Sequence, residues 1–274
     1  MSRDPFDLKG RVAVVTGGYG VIGTAIAEGI VGAGGNVALL GRNRGAAEER
    51  AADLRNRAPA GSKVSVLIAD VTDEDQLRAA CRSVVDDWGH VDILINAAGG
   101  NVARARTDNR PVFDLPFDAF DEVVRLNLHG TVYPALIFGE AMAEQGRGSI
   151  VNISSMAAVE AISGTMGYAA AKAAIDNFTR WMAVDLARRH GDGLRVNAIA
   201  PGFFITKQNR DVLLNPDGSY TARSKAILAK TPAGRFGDAS ELIGPVIWLC
   251  SDAASFVTGT VIPVDGGFSA DSGI

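Results

Sequence analysis

The sequence predicts an α/β fold: a doubly wound, seven-stranded parallel sheet with helices on both faces. Three observations predict it. Short β-branched runs of the kind buried in parallel sheets alternate with helical patterns four times between Arg11 and Asn96. A glycine-rich turn, Gly17-Gly18-Tyr19-Gly20-Val21-Ile22-Gly23, falls between the first run and the first helix. Residues able to hold a ligand, Asp70 and Asn96 among them, fall at the carboxyl ends of the runs, where sheets of this kind bind ligands.

Arg11 to Thr16 is the first strand, with the apolar run Val12-Ala13-Val14-Val15. The helix after it carries Ile22, Ile26 and Ile30 on one face and stops at Gly34-Gly35. Strand, glycine loop and helix start in that order set backbone N–H groups and a helix N-terminus against a pyrophosphate. Asn36 to Leu40 is the second strand and ends in Gly41-Arg42-Asn43. An acidic residue here would bind the ribose hydroxyls of NAD, whereas an arginine accepts a 2′-phosphate. The acid is absent and Arg42 is present, so NADP is favoured over NAD.

Ala46 to Arg57 is a helix ended by Pro59-Ala60-Gly61, and Val64 to Ala69 is the third strand, followed by Asp70-Val71. Asp73 caps a helix that runs through Trp88-Gly89. Val91 to Ile95 is the fourth strand, ending in Asn96-Ala97-Ala98-Gly99. Gly100 to Phe117 is irregular and rich in arginine, and a long helix from Asp118 to Gln145 contains Asn127. Ser149 to Ile153 is the fifth strand and ends at Ser154-Ser155; the next helix bears Tyr168 and runs to about His190. Arg195 to Ile199 is the sixth strand, ending at Pro201-Gly202. Lys207 to Thr231 is a polar, partly helical excursion, Ala239 to Ser251 a helix, and Gly259 to Val264 the last strand. Nothing splits the chain, so one domain is expected over 1–274, with a substrate-loop excursion at about 203–237.

Bulk properties narrow the function. The chain has 274 residues, 47% hydrophobic and 21% charged, with net charge −4, which suits a globular protein with a sizeable core. There is no electrostatic case for nucleic acid. Met1 to Gly10 holds no signal-like apolar run, and no stretch approaches the ~18–20 apolar residues of a membrane span. Cys81 and Cys250 sit in apolar helical patterns and read as core residues; His90, His129 and His190 make no ligand spacing. No metal is expected, and the compartment expected is the cytoplasm.

The chemistry centres on Tyr168 and Lys172. Four apart on a helix, they share a face. A phenol has a free pKa of about 10, and a nearby ammonium favours the phenolate and lowers that value. Reaching neutrality takes roughly three pH units, about 4 kcal/mol. Such a phenol is a candidate proton donor and acceptor.

With these motifs in order, the sequence resembles the short-chain dehydrogenase/reductase family over nearly its whole length. The resemblance rests on the glycine turn, Asp70, Asn96-Ala97-Ala98-Gly99, Asn127, then Ser155, Tyr168 and Lys172 at the family's spacing, and Pro201-Gly202 with Thr206. One departure stands in the turn, usually Thr-Gly-x-x-x-Gly-x-Gly: Val21 replaces the second glycine and Gly20 precedes it. The resemblance implies a Rossmann fold and a catalytic set of Asn127, Ser155, Tyr168 and Lys172. Tyr168 would pass the proton, Lys172 would lower its pKa and hold the nicotinamide ribose, Ser155 would bond the reacting carbonyl, and Asn127 would keep a relay water. The implied cofactor site is Gly17, Tyr19, Gly20, Val21, Ile22 and Gly23; Arg42 and Asn43; Asp70 and Val71; Asn96, Ala97, Ala98 and Gly99; Tyr168 and Lys172; and Pro201, Gly202, Phe204 and Thr206. It also implies a homotetramer packed through the long helix, the Tyr168 helix, and the last helix and strand.

Within the family, Ala98-Gly99-Gly100-Asn101, Thr107-Asp108-Asn109, Phe203 to Arg210, Asn215 to Ser219, Thr231 to Gly237 and the ending Gly267 to Ala270 are similar to the mannonate oxidoreductase, or fructuronate reductase, branch. That branch interconverts a keto sugar acid and its hydroxy acid. A physical reading runs beside it. Arg104, Arg106, Arg110, Lys207 and Arg210 lie in segments expected to flank the site, and a carboxylate calls for such a cation. At least one of Arg104, Arg106 and Arg210 is expected to hold it. Asn101, Asn109, Gln208 and Asn209 suit sugar hydroxyls. The rivals are a 3-oxoacyl thioester or general carbonyl reductase, and a cofactor-sensing regulator without chemistry. The regulator should have lost its catalytic positions, and all are present.

Overall fold

A computed structural model describes residues 4–108, 110–206 and 209–273. Seven parallel strands form one sheet in the order β3-β2-β1-β4-β5-β6-β7. They are β1 (Val12–Thr16), β2 (Asn36–Gly41), β3 (Val64–Ile68), β4 (Ile93–Asn96), β5 (Gly148–Ile153), β6 (Leu194–Pro201) and β7 (Val261–Val264). The order reverses between β1 and β4, and a ligand crevice lies at such a switch point. Register brings Thr16, Asn96 and Asn152 side by side across β1, β4 and β5 at that edge.

The central strand runs are mostly apolar because both of their faces are covered, whereas the edge strands β3 and β7 are only partly buried. Ala13 and Val15 point to one core, shared with α1 (Val21–Gly32), α2 (Arg44–Arg57) and α9 (Ile243–Cys250) through Ile26, Ile30, Leu54, Val246 and Leu249. Val12 and Val14 point to the other, shared with α3 (Glu74–Trp88), α5 (Gly130–Glu144) and α6 (Met166–His190) through Leu77, Phe138, Met142 and Met182. Cys81 and Cys250 lie in these two different cores, on opposite sides of the sheet, and are free. Burial pushes their thiols up to about 11 and about 12. No helix among the described residues is long and apolar enough to cross a membrane.

Local chemistry sets the helix starts. The Asn43 side chain accepts from Ala46 N–H at 3.1 Å to start α2, and Asp73 from Gln76 N–H at 3.0 Å to start α3. The expected helix 118–145 is not continuous. It is α4 (Phe117–Val124), a π turn at Arg125–His129, and α5. Pro134, with no N–H for the Gly130 carbonyl, stands one turn beyond the π turn. The expected helix 239–251 likewise splits into a 3₁₀ turn, Ala239–Leu242, and α9; Asp238 and Glu241 form a capping box at its start. The excursion after β6 carries α7 (Arg210–Leu213) and α8 (Ala222–Lys230), the latter capped by Thr221.

Candidate active site

The glycine turn closes on itself. Gly17 has φ +63°, and a Cβ there would sit 2.9 Å from Ala98 Cα, so the turn can lie flat against the end of β4 only without a side chain. A Cβ on Gly23 would overlap the Gly17 carbonyl oxygen. Gly20 is the N-cap of α1, offers no side-chain cap, and no acidic residue occupies the first turn. The opening N–H groups of Val21, Ile22 and Gly23 therefore face outward without a helical acceptor. This N–H cradle fits a pyrophosphate. The shifted glycine is explained here: Gly20 takes the cap position, and Val21 opens the helix.

At the end of β2, the Tyr19 hydroxyl accepts from the Arg42 and Asn43 N–H groups, both at 3.2 Å. Its ring covers Gly41 so closely that a methyl there would overlap it. Arg42 is exposed and reaches Asp70 at 3.4 Å, a long surface pair that contributes little. Asp70 also accepts from the Thr72 N–H and hydroxyl, both at 2.8 Å. Burial raises its pKa, but these bonds and Arg42 outweigh it and leave the carboxyl below its ordinary value. Val71 is buried against Gly130 and presents no side chain to a ligand.

Behind the turn, Asn96 donates to Asn152 at 2.9 Å and is buried; Ala97 and Ala98 N–H groups donate to the Thr16 hydroxyl at 3.1 Å each. Gly99 and Gly100 follow with φ +156° and +145°. Asn127 clamps them. Its Nδ2 donates to the Gly100 and Val123 carbonyls at 2.8 Å each, and its Oδ1 accepts from Gly100 N–H at 3.0 Å. A Cβ on Gly99 would lie 2.7 Å from that Oδ1. The expected water-holding role thus does not rest on the Asn127 amide group, whose two N–H bonds both go to backbone. The π turn is what brings this buried side chain to the loop.

Ser155, Tyr168 and Lys172 come together as expected. The Ser155 side chain lies close enough to the Tyr168 phenol to favour its ionised form, and the Tyr168 ring packs against the small apolar cluster of Ala105, Leu115, Ala119 and Val123. Lys172 stands 5.5 Å from the centre of the Tyr168 ring and donates to the Ile153 carbonyl at 2.6 Å. One expectation is corrected. Burial, opposed by the Ser155 hydrogen bond, holds the phenol above its ordinary value rather than lowering it. The Lys172 ammonium is drawn out of water as well: burial pulls it down to about 8, with Asp176 opposing. In this state Tyr168 carries its proton at neutral pH.

The substrate side needs more correction. Arg104 is tied to Asp118 and, at 3.8 Å, to Glu122 on the surface of α4, so it is not free for a carboxylate. Arg106 grips Asp108 at 2.7 and 2.6 Å. Arg210 is exposed at the start of α7 and carries no ion pair among the described residues. Lys207, Asn109 and Gln208 lie outside the described residues. Asn101 accepts from the neighbouring Val102 N–H, and Asn209 binds Thr206 and the Phe204 carbonyl, which uses its amide on the loop itself. Pro201 ends β6 and Gly202 follows it, where a Cβ would lie 2.7 Å from Asp265 Cα; Phe204 turns into the core against Gly237 and leaves only its backbone to the cleft.

Sequence reading missed Arg223. From α8 it donates to Asp108 at 3.0 Å and to the Ser163 hydroxyl and carbonyl at 3.1 and 3.0 Å. Lys230, at the other end of α8, pairs with Glu160 at 2.9 Å. Only the pairing of distant segments reveals either contact; an isolated arginine in a polar stretch gives no signal.

Relatives support this reading. The family model described as enoyl-(acyl carrier protein) reductase matches residues 19–269. The chain is 42% identical to an uncharacterized oxidoreductase, UxuB, of Bacillus subtilis, over 98% of each chain. A Haemophilus influenzae structure assigned as a D-mannonate oxidoreductase, with bound NAD, superposes with TM-score 0.90 at 37% identity over 98% of both chains. A Beutenbergia cavernae structure assigned as an NAD(P)-dependent gluconate 5-dehydrogenase, with bound NADP, gives TM-score 0.85 at 34% identity, over 97% of this chain and all of that one. The protein is therefore an oxidoreductase built on a dinucleotide-binding sheet. It belongs to the short-chain dehydrogenase/reductase family.

Proposed function

We propose that this chain, acting as one domain, interconverts a ketone and a secondary alcohol of a sugar acid, of the fructuronate/mannonate type, with NAD(P). The observation that carries the reading is the Ser155–Tyr168–Lys172 cluster beside the N–H cradle of α1. The nicotinamide nucleotide supplies hydride transfer when bound. Ser155 orients the substrate oxygen, and Tyr168, protonated at neutral pH, donates its proton to that oxygen in the reductive direction. Lys172 holds the ribose and supplies the local positive charge.

A sugar acid is supported by the names given to the two structural relatives and by charge near the site. Arg106 and Arg223 share one partner, Asp108, which leaves one positive charge in excess there. NADP is favoured over NAD because the exposed Arg42 follows Gly41 at the end of β2, where an acidic residue would bind the ribose hydroxyls of NAD. A homotetramer packed through α5 and α6 belongs to the same reading, since Leu136, Trp181 and Val184 are exposed there, as does a cytoplasmic location.

A panel of uronic and aldonic acids, neutral ketones and a 3-oxoacyl thioester, run with both nucleotides and followed at nicotinamide absorbance, tests it. Turnover confined to the sugar acids supports the assignment; preference for the thioester transfers it to the acyl class.

A further inference from the structure

Lys172 and Asp176 stand four apart on α6, one turn from each other, and both are buried at 4% and 5% exposure. Asp176 accepts a short hydrogen bond from the Ser154 hydroxyl at the end of β5, and Ser154 is itself 2% exposed. A carboxylate in such a place is expensive unless something compensates it. One hydroxyl is modest compensation, and a small apolar residue would fill the same space at less cost.

The surroundings show what the charge acts on. Toward Lys172, β5 presents the Ile153 carbonyl, the loop after β4 presents Gly99, and the π turn brings the neutral Asn127 against that same glycine. Tyr168 lies on the same helix. Asp176 is the carboxylate acting on Lys172, and the cations acting on Asp176 are Arg180 and Lys172. Among the described residues, Asp176 is the carboxylate whose charge offsets the ammonium's loss of water.

We propose that Asp176 is a positioning residue for the reaction: its buried carboxylate, fixed by Ser154, keeps Lys172 charged behind Tyr168. The inference rests on the role given to Tyr168 and Lys172 above. Burial draws Lys172 down to about 8 and Asp176 opposes that fall; burial pushes Asp176 up, and the Ser154 hydrogen bond opposes it. Lys172 and Asp176 titrate as a coupled pair. Carbonyl reduction needs the phenol protonated and the amine charged, so loss of the Lys172 proton ends activity.

The test is kcat/KM for carbonyl reduction between about pH 6 and 10 in the parent, Asp176→Asn and Ser154→Ala. Asp176→Asn keeps the shape and removes the charge. Its low-pH plateau should stay within about twofold of the parent, while its basic limb moves down by about one pH unit, a tenfold loss on that limb. Ser154→Ala should move the limb the same way by less. A residue that merely packs would lower the plateau and leave the limb where it was, and that result overturns the proposal. If Asp176→Asn does not fold, the limb of Ser154→Ala decides alone. An inactive parent brings down the reading of the site, and this inference with it; an active parent with unmoved limbs brings down this inference only.

Discussion

Arg223 of α8 meets Asp108 of the loop after β4 at 3.0 Å, although 115 residues separate them. The same guanidinium holds Ser163, five residues before Tyr168. One side chain thus ties the excursion to two loops beside the candidate site. Arg223→Ala should raise KM for the carbonyl substrate about tenfold, the scale of one charge-assisted contact, with nucleotide affinity unchanged. Initial-rate kinetics beside nucleotide titration separates the two; a nucleotide Kd that moves as far as KM would place the tie elsewhere.

Tyr168→Phe removes one oxygen from a ring packed against the cluster of Ala105, Leu115, Ala119 and Val123 and leaves the packing in place. Turnover should fall by about 10²–10⁴, the usual weight of a positioned acid, while nucleotide binding persists. Stopped-flow turnover and fluorescence titration measure the pair. Near-parental turnover would mean that the proton travels by another route.

Discrimination at the ribose end should depend on Arg42. Arg42→Ala should weaken NADP about tenfold relative to NAD, as loss of one phosphate contact. Exchanging Gly41 for Asp is a poorer probe than the sequence suggests, because the Tyr19 ring occupies that space. Competitive kinetics with both nucleotides reports the ratio; an unchanged ratio would show that Arg42 reads neither form.

Burial of Lys172 also has a sign in stability. Its ammonium titrates at about 8 in the folded chain and at the ordinary 10.5 when unfolded. Between those values the unfolded chain binds more protons, so this group's contribution to stability rises with pH across that window. Below about 8 its penalty is full, and the gap corresponds to about 3 kcal/mol. Lys172→Met should therefore melt higher than the parent at neutral pH, with the advantage shrinking toward pH 10. A difference in Tm that stays flat across this range would refute the assignment.

The strands were readable because each is a run of buried apolar residues at the spacing a parallel sheet imposes, and Gly17, Ser155, Tyr168 and Lys172 were readable from local order along the chain. What stayed hidden depends on distance. Apolar periodicity passes through Arg125–His129 without a break, so the π turn left no trace. Arg104 looked available because nothing adjacent shows that Asp118, fourteen residues on, neutralises it; Asp108 stands only two residues from Arg106, and what stayed hidden there is its sharing with Arg223. Asp176 carries no local signal, because only the approach of α6 to the end of β5 sets Ser154 against it.

The π turn also limits how the gene can drift. Deleting one codon within 125–129 would close the wide turn into ordinary helix, and because five residues at the wider pitch sweep about the same angle as four in an α-helix, the helix beyond would keep its facing. Phe138 and Met142 would stay against the sheet, while Asn127 would lose Gly100. A shortened helix should therefore still fold, and such deletions should be purged for the sake of the glycine loop rather than of the core.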